Sequence, residues 1–231
     1  MGGNSIEAVV FDLDGTLIDS APDLRTAVNR MLAEKGRPAL DLGAVTAMVG
    51  DGVHKLVERA LAATGDGAPA ADEVAGSTRR FLEFYEGHGA VLTRAYPGAV
   101  EALKCLSGEG YALGICTNKP HGATRDILAA LDLEGYFSAV LGGDSLDGVR
   151  KPDPRHLLAA VERLGATRET AVMVGDTEND AAAALGARVP MIAVAFGYAK
   201  VPVADLGADV VIGHFDELPD AIRRLLSPGL S

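Results

Sequence analysis

The sequence predicts a doubly wound, Rossmann-like α/β domain with a parallel sheet and an inserted all-helical segment. Short apolar runs typical of buried parallel strands recur along the chain, and amphipathic stretches of helical length separate most of them. This alternation is typical of β-α-β units. Between residues 19 and 93 the alternation stops, and helical patterns follow one another without a convincing strand. The sequence therefore predicts one α/β core with a helical insertion after its first strand.

Six apolar runs are the candidate strands of the core. Their apolar residues are continuous rather than alternating, as expected for strands that are buried on both faces. The runs are 6–11, 112–116, 139–141, 170–174, 191–195 and 210–212. Four helices are predicted among them, at 98–107, 121–132, 153–164 and 178–187, and glycines near their ends are typical of helix C-termini.

Residues 19–93 are predicted to form a helical cap domain, with 1–18 and 94–231 as the two parts of a discontinuous core domain. Pro22 lies two residues after Ser20, and Asp23 lies three residues after it. This pattern is typical of a capping box at a helix N-terminus. Apolar residues at helical spacing follow, and two further helical segments are predicted at 51–63 and 70–87.

Composition narrows the class of protein. The chain has 231 residues, of which 48% are hydrophobic and 23% charged, as is typical of globular proteins. We expect a cytoplasmic protein, because the sequence contains no membrane-spanning stretch and no recognisable secretory signal. The formal net charge of −11 argues against nucleic acid or an anionic membrane as partner. Either a monomer or a homodimer is compatible with the sequence.

Two further residue types are predicted to have structural roles. Cys105 and Cys116 form no C-x-x-C motif and are expected to be small buried residues in a reducing compartment. Four histidines, at positions 88, 121, 156 and 214, have no metal-ligand spacing and are expected at the surface or as helix caps.

Polar residues follow four of the candidate strands, at the edge of the sheet where ligands of open α/β proteins bind. The residues concerned are Asp12, Asp14, Gly15 and Thr16, then Thr117 and Asn118, then Lys151, and finally Asp176 and Asp180. Each motif alone is compatible with a simpler role, such as a turn, a helix cap or a surface lysine. Their succession at four strand ends favours one shared site.

The carboxylates indicate a divalent cation. Asp12 and Asp14 are two residues apart at a strand end, so their side chains can point to the same side. Together with Asp176 and Asp180 they concentrate negative charge, and an all-oxygen donor set with room for water is typical of Mg²⁺. Gly15 allows a sharp turn that brings backbone N–H groups close to an anion.

The sequence resembles the haloacid-dehalogenase superfamily of phosphohydrolases, and within it the bacterial phosphoglycolate phosphatase branch. The resemblance extends from about residue 6 to 226. The motifs that carry it are Phe-Asp-Leu-Asp-Gly-Thr-Leu-Ile-Asp-Ser at 11–20, Val-Gly-Asp-Gly at 49–52, Tyr-Pro-Gly at 96–98, Thr-Asn-Lys-Pro at 117–120, Gly-Gly-Asp at 142–144, Lys-Pro-Asp-Pro at 151–154 and Val-Gly-Asp at 174–176.

The resemblance implies a catalytic role for three residues. Asp12 would be the nucleophile that forms an aspartyl-phosphate, and Asp14 the acid that protonates the leaving group and then activates water. Lys151 would offset the repulsion between Asp12 and a phosphate dianion. Mg²⁺ would be held by Asp12, the backbone carbonyl of Asp14 and Asp176, with Asp180 orienting the ligands.

The resemblance also implies which residues bind the substrate. Phosphoryl oxygens would contact Thr117 and Lys151, together with the backbone around Gly15, Thr16 and Asn118. A cap loop at Gly50-Asp51-Gly52, with Arg59 downstream, would close over the bound phosphate.

The resemblance implies hydrolysis of a small phosphomonoester, with 2-phosphoglycolate as the first candidate. The presence of Asp14 favours phosphate chemistry over dehalogenation, because a halide leaves without a proton. Pyrophosphate, nucleoside monophosphates and sugar phosphates remain alternative substrates, and a β-phosphoglucomutase-like mutase remains an alternative activity. A non-catalytic phospho-acceptor module is a further alternative, although such modules lack a long helical insertion after the first strand.

Overall fold

The predicted apolar runs form one parallel sheet in the computed structural model, which describes residues 5–226. The strands are β1 (Ala8–Phe11), β2 (Ile18–Asp19), β3 (Arg94–Ala95), β4 (Ala112–Cys116), β5 (Ala139–Leu141), β6 (Ala171–Gly175), β7 (Met191–Val194) and β8 (Val210–Ile212). The sheet has the order β5-β4-β1-β6-β7-β8, and all its strand pairs are parallel. The predicted Rossmann-like α/β fold is therefore confirmed.

Helices connect the strands and cover both faces of the sheet. They are α1 (Ala21–Glu34), α2 (Leu42–Thr46), α3 (Val53–Ala63), α4 (Ala71–Tyr85), α5 (Ala99–Gly108), α6 (His121–Ala130), α7 (Pro154–Arg163), α8 (Glu178–Ala187) and α9 (Leu218–Leu226), with 3-10 turns at Glu134–Tyr136, Val203–Leu206 and Phe215–Glu217. The four predicted core helices correspond to α5, α6, α7 and α8, whereas the sequence analysis did not predict α9.

The continuous apolar runs are explained by burial on both faces of the sheet. In β1, Val9 and Phe11 belong to one apolar cluster, and the intervening Ala8 and Val10 belong to the cluster on the opposite face. All four side chains are inaccessible to solvent. A strand buried in this way needs apolar residues at every position, which is why its sequence does not alternate.

Between β2 and β3 the chain contains only helices, as the sequence predicted. Helix α1 packs against α2, α3 and α4, and its buried residues Val28, Met31 and Leu32 belong to the same apolar cluster as Leu61 and Phe81. The short strands β2 and β3 pair antiparallel at the two crossings into the helical segment. They were not predicted, because strands of two residues show no periodicity.

The start of α1 differs from the predicted capping box. Ser20 Oγ donates to Oδ1 of Asp14 at 2.5 Å, rather than accepting a hydrogen bond from the first turn. The hydroxyl of Tyr198 instead accepts hydrogen bonds from the backbone N–H groups of Ser20 and Ala21, at 2.9 and 3.1 Å. A residue distant in sequence therefore caps this helix.

Asp23 also has a different role from the predicted one. Its carboxylate accepts hydrogen bonds from the backbone N–H groups of Leu92 and Thr93, and from the Thr93 hydroxyl, at 2.8 to 3.0 Å. Asp23 thus joins the beginning of the helical segment to its end. This buried contact fixes the two crossings next to each other.

Two smaller predictions were wrong in part. Cys116 is buried as expected, but Cys105 is exposed on α5. His156 is fully buried rather than at the surface, whereas His214 accepts a hydrogen bond from the N–H of Asp216 and caps a 3-10 turn, as expected. Within residues 5–226, no helix combines the length and the apolar character needed to cross a membrane.

Candidate active site

The predicted site residues meet because the central strands end in register. Phe11 at the end of β1 lies opposite Ile115 in β4 and Val174 in β6. The residues that follow, among them Asp12 and Asp176, therefore emerge at the same edge of the sheet. This edge is where ligands bind in open α/β folds.

Three carboxylates converge at this edge. Asp12, Asp176 and Asp180 each place an oxygen atom within 4.8 Å of the others, and all three side chains are buried. Lys151 Nζ lies 2.6 Å from Oδ1 of Asp180 and 2.8 Å from Oδ1 of Asp12. Three acidic groups thus share one buried ammonium group, and two of their negative charges are not compensated by it.

Burial and mutual repulsion oppose the ionisation of this cluster. Burial raises the pKa of Asp12 from 3.8 to about 6, an effect that Lys151 opposes and Asp180 reinforces. The pKa of Asp176 is raised well above 3.8 by burial, and the neighbouring Asp180 and Asp12 add to the effect. The cluster is therefore a site where a cation is needed to hold the carboxylates in their charged form.

The carboxylates are held in place by their neighbours. Asp176 accepts hydrogen bonds from the Thr16 hydroxyl and the backbone N–H of Tyr198, both at 2.6 Å. Oδ2 of Asp180 accepts from the N–H of Asp176, and from the N–H and hydroxyl of Thr177, at 2.8 to 3.1 Å. Asp180 thus uses one oxygen at the start of α8 and directs the other to Lys151.

The cluster fits a metal ion by an observation independent of charge. Oδ1 of Asp12 is buried and accepts no regular hydrogen bond from the described residues, and its contact with Lys151 Nζ at 2.8 Å is an ion pair. An unsatisfied carboxylate oxygen in a buried, all-oxygen cluster is what a hard divalent cation requires. Asp12, Asp176 and Asp180 could hold the ion. The side chain of Asp14 is not part of this cluster.

Asp14 faces a different neighbour. Both of its oxygens lie 3.1 Å from Nζ of Lys119, and Ser20 donates a hydrogen bond to it. Lys119 is itself 5% exposed, and its ammonium group lies 4.8 Å from the centre of the Tyr85 ring. No role was predicted for Lys119 from the sequence, although Lys119 directly follows Thr117 and Asn118. Only packing distinguishes this buried lysine from a surface one.

Thr117 and Asn118 are both buried at the end of β4. The Thr117 hydroxyl oxygen accepts a hydrogen bond of 3.2 Å from the N–H of Lys119, which leaves its own proton free to be donated. Asn118 Nδ2 donates to the carbonyl oxygens of Gly50 and Lys151, each at 2.9 Å. Asn118 therefore connects the helical segment to the edge of the sheet where the acidic cluster lies.

Gly15 and Thr16 occupy the predicted place, but their polar groups have partners within the protein. Gly15 has a φ of +87°, and its N–H donates to the carbonyl oxygen of Ile18 at 2.9 Å. A Cβ atom at Gly15 would collide with the Asp176 carboxylate. The Thr16 hydroxyl is bonded to Asp176. In this arrangement both residues shape the acidic cluster rather than present free donors to a phosphate.

The loop containing Gly50 and Gly52 lies over the site, but Arg59 does not reach it. Both glycines have positive φ angles, and a Cβ atom at Gly52 would lie 3.3 Å from the carbonyl oxygen of Asn118. Arg59 donates to the carbonyl oxygen of Met48 at 2.8 Å and pairs with Asp51 at 2.5 Å. Arg59 therefore stabilises the loop through these contacts and does not line the cavity.

A cavity of about 40 Å³ lies between this loop and the strand ends. Its polar wall includes Asp12, Asp14, Thr117, Asn118 and Lys119. Its opposite wall is formed by the helical segment and is apolar, with side chains from Leu24, Val49, Val53 and Leu56. The cavity thus brings two carboxylates, a threonine hydroxyl and an ammonium group together next to the acidic cluster.

Comparison with known proteins agrees with this geometry. The family model described as haloacid dehalogenase-like hydrolase matches residues 6–188. A phosphoglycolate phosphatase of Cereibacter sphaeroides is 47% identical over 219 residues, covering 95% of this chain and 99% of that protein. One from Rhodospirillum rubrum is 45% identical over 217 residues, covering 93% of this chain and 90% of the relative.

A solved structure is similar in fold as well. The crystal structure of a predicted phosphoglycolate phosphatase from Haemophilus somnus superimposes with a TM-score of 0.88 at 30% sequence identity, covering 94% of this chain and 97% of the other. The similarity extends over both the sheet and the helical segment, since nearly the whole chain is matched. Members of this family use a metal ion, and the buried aspartate cluster could bind one. The match to the family model, the sequence identities and the similarity in fold show that the chain belongs to the haloacid dehalogenase-like hydrolases.

Proposed function

We propose that this chain is a Mg²⁺-dependent phosphatase that hydrolyses 2-phosphoglycolate to glycolate and phosphate. The observation that carries the proposal is the placement of Asp12 beside Lys151 and the acidic cluster, with Asp14 on the wall of the same cavity. The substrate follows from the relatives, which are named phosphoglycolate phosphatases at up to 47% identity.

In the first step, Asp12 attacks phosphorus while the bond between phosphorus and the leaving oxygen breaks. An aspartyl-phosphate forms, and Asp14 donates its proton to the leaving alkoxide, which departs as glycolate. In the second step, Asp14 takes a proton from water as the water oxygen attacks phosphorus. The bond between phosphorus and Asp12 then breaks, so that both aspartates return to their starting state.

Lys151 has two roles in this proposal. Its ammonium group lies 2.8 Å from Oδ1 of Asp12, where it reduces the repulsion between the nucleophile and a phosphate dianion. It also provides a positive charge for the phosphoryl oxygens during transfer. The Thr117 hydroxyl, which retains a free proton, is the other side-chain donor for these oxygens, together with backbone N–H groups next to Asn118.

Mg²⁺ is the ion proposed for the site, held by Asp12 and Asp176 with the backbone carbonyl of Asp14. When bound, it supplies charge that neutralises the phosphoryl group and the cluster. Asp180 keeps Asp176 and Lys151 in place through its hydrogen bonds. A hard divalent cation is favoured over softer metals because every donor is oxygen.

Residues 19–93 are proposed to act as the cap domain, with the remaining parts as the core. The Gly50–Gly52 loop covers the cavity, which excludes bulk water when the cap is closed. The described side chains that the helical segment places on the cavity wall are apolar, which favours a small leaving group over a nucleoside or a hexose. The oligomeric state, either a monomer or a homodimer, and the cytoplasmic location stay predictions.

The test is a screen of phosphomonoesters for phosphate release, with Mg²⁺ and with EDTA. We expect continuous turnover, highest for 2-phosphoglycolate and lost with EDTA or in the Asp12→Asn variant. A single burst of phosphate equal to the enzyme concentration would instead indicate a phospho-acceptor module. Conversion of β-glucose 1-phosphate to glucose 6-phosphate would indicate a mutase.

A further inference from the structure

Lys119 is a buried cation whose contacts do not include the acidic metal cluster. Its ammonium group pairs with Asp14, stacks on the ring of Tyr85, and lies on the wall of the active-site cavity. Among the described residues that line this cavity, it is the only one that carries a positive charge. The proposed reaction assigns no role to the positive charge of Lys119.

Lys119 is held as a buried ion pair. Its Nζ lies 3.1 Å from both oxygens of Asp14 and 4.8 Å from the centre of the Tyr85 ring. Charged groups are rarely buried in this way without a partner or a function. Asp14 is the partner in this structure.

The position of Lys119 relates it to the leaving group rather than to the phosphoryl group. Lys151 lies next to the nucleophile Asp12, on the phosphoryl side. Lys119 lies next to Asp14, which protonates the leaving oxygen, so a group in contact with Asp14 is also close to the leaving group. The structure therefore separates two cations, one for each end of the substrate.

The surrounding wall restricts what the leaving group can be. The helical segment contributes Leu24, Val53 and Leu56 and no polar side chain that would hydrogen-bond a sugar. A short leaving group that carries one negative charge and few other polar groups matches this apolar wall and the single cation on it.

We propose that Nζ of Lys119 binds a carboxylate on the leaving group, and so selects phosphate esters of small hydroxy acids over neutral esters of the same size. This inference rests on the proposed phosphatase function. It makes Lys119 the specificity-determining residue, and it separates recognition of the leaving group from recognition of the phosphate by Lys151.

The test compares 2-phosphoglycolate with the analogue in which a carboxamide replaces the carboxylate. The two esters have the same shape, but the analogue carries no charge at that group. The wild-type enzyme prefers the acid, as measured by the ratio of the two kcat/KM values. In Lys119→Met this ratio falls about tenfold or more, as expected when a buried charge-assisted hydrogen bond is removed. Lys119→Arg keeps the charge and retains a larger part of the preference than Lys119→Met.

The control is Lys104→Met, the same substitution at an exposed lysine of α5, which leaves the ratio unchanged. Thermal unfolding checks that the variants are folded. Lys119→Gln, which keeps a donor for Asp14, serves in place of the methionine variant if that one does not fold.

The outcomes separate this inference from the function on which it rests. A wild-type enzyme that hydrolyses both esters equally well overturns the inference, as does a Lys119→Met variant with an unchanged ratio. A wild-type enzyme that hydrolyses neither ester overturns the proposed function instead.

Discussion

Nδ2 of Asn179, at the start of α8, donates a hydrogen bond of 2.7 Å to Oδ1 of Asp51 in the loop before α3. The other oxygen of Asp51 lies 3.0 Å from Nζ of Lys200 and pairs with Arg59. Burial would raise the pKa of Asp51, but its contacts with Asn179, Lys200 and Arg59 outweigh this and lower it. Asp51 therefore joins the helical segment to the sheet domain above the active site.

Replacing Asp51 by Asn is expected to favour the open position of the cap. The ion pairs with Lys200 and Arg59 are lost, and a shift of about 1 kcal/mol corresponds to about fivefold in the ratio of closed to open states. We expect KM for the substrate to rise about fivefold and hydrogen exchange in residues 48–53 to become faster. The matched control is Asp66→Asn, at an exposed loop position of the helical segment. Unchanged KM and exchange in Asp51→Asn would show that these contacts do not hold the cap.

The strands and the acidic cluster could be predicted because each depends on local sequence. A strand buried on both faces is apolar throughout, and parallel strands that end in register bring the residues after Phe11 and Val174 together. Chain order and residue type are sufficient for that inference. The predicted convergence of Asp12 and Asp176 needed no side-chain geometry.

Hydrogen-bond partners could not be predicted in the same way. Ser20 has the pattern of a helix cap, yet its hydroxyl is bonded to Asp14, and Tyr198 caps the helix from the other end of the chain. Lys119 and Asn179 act through contacts with residues more than 100 positions away. These hydrogen-bond partners are determined by tertiary packing, which cannot be inferred from the local periodicity of the sequence.

Asp14→Asn is expected to slow hydrolysis most for substrates whose leaving group needs a proton. General acid catalysis typically contributes about 10²–10⁴-fold, so kcat/KM for 2-phosphoglycolate, which reports on formation of the aspartyl-phosphate and not on its hydrolysis, should fall by about that factor. A p-nitrophenyl ester has a leaving group that is stable as an anion, and its kcat/KM should fall about tenfold or less. The control is Asp147→Asn, at an exposed position, which changes neither rate. Equal losses for the two esters would contradict the role of Asp14 as the acid.

Mg²⁺ is expected to stabilise the protein against heat. Bound metal relieves the repulsion among Asp12, Asp176 and Asp180, and a ligand at about 100 times its Kd adds about 2.7 kcal/mol to the free energy of unfolding. For a domain of this size, that corresponds to a rise in Tm of about 5–10 °C. Differential scanning calorimetry with Mg²⁺ and with EDTA measures the effect.

The Asp176→Asn variant should lose most of this rise in Tm, because one metal ligand loses its charge. Asp205→Asn, at an exposed position of a 3-10 turn, should keep it. A Mg²⁺-dependent rise of the same size in Asp176→Asn would place the ion elsewhere.

His156 is expected to make the protein less stable in mild acid. The side chain is fully buried, with Nε2 3.1 Å from the carbonyl oxygen of Gly142. Burial lowers its pKa from 6.5 to about 4, and the nearby charge of Lys151 adds to the effect. Between these two values the unfolded chain binds a proton that the folded protein does not, so stability is lost as the pH falls from 6.5 to 4.

From pH 7.5 to pH 5, this single group should lower the free energy of unfolding by about 2 kcal/mol. Carboxylates such as Asp12 titrate in the same range with the opposite sign, so the effect of His156 is measured as a difference between variants. His156→Gln, which keeps a donor for Gly142, should be less stable than wild type at pH 7.5 but lose about 2 kcal/mol less on acidification. Urea denaturation at the two pH values gives this difference, with His88→Gln as the exposed control. If His156→Gln lost as much stability as wild type on acidification, the imidazole would bind its proton equally well in the folded and the unfolded protein, and burial would not lower its pKa.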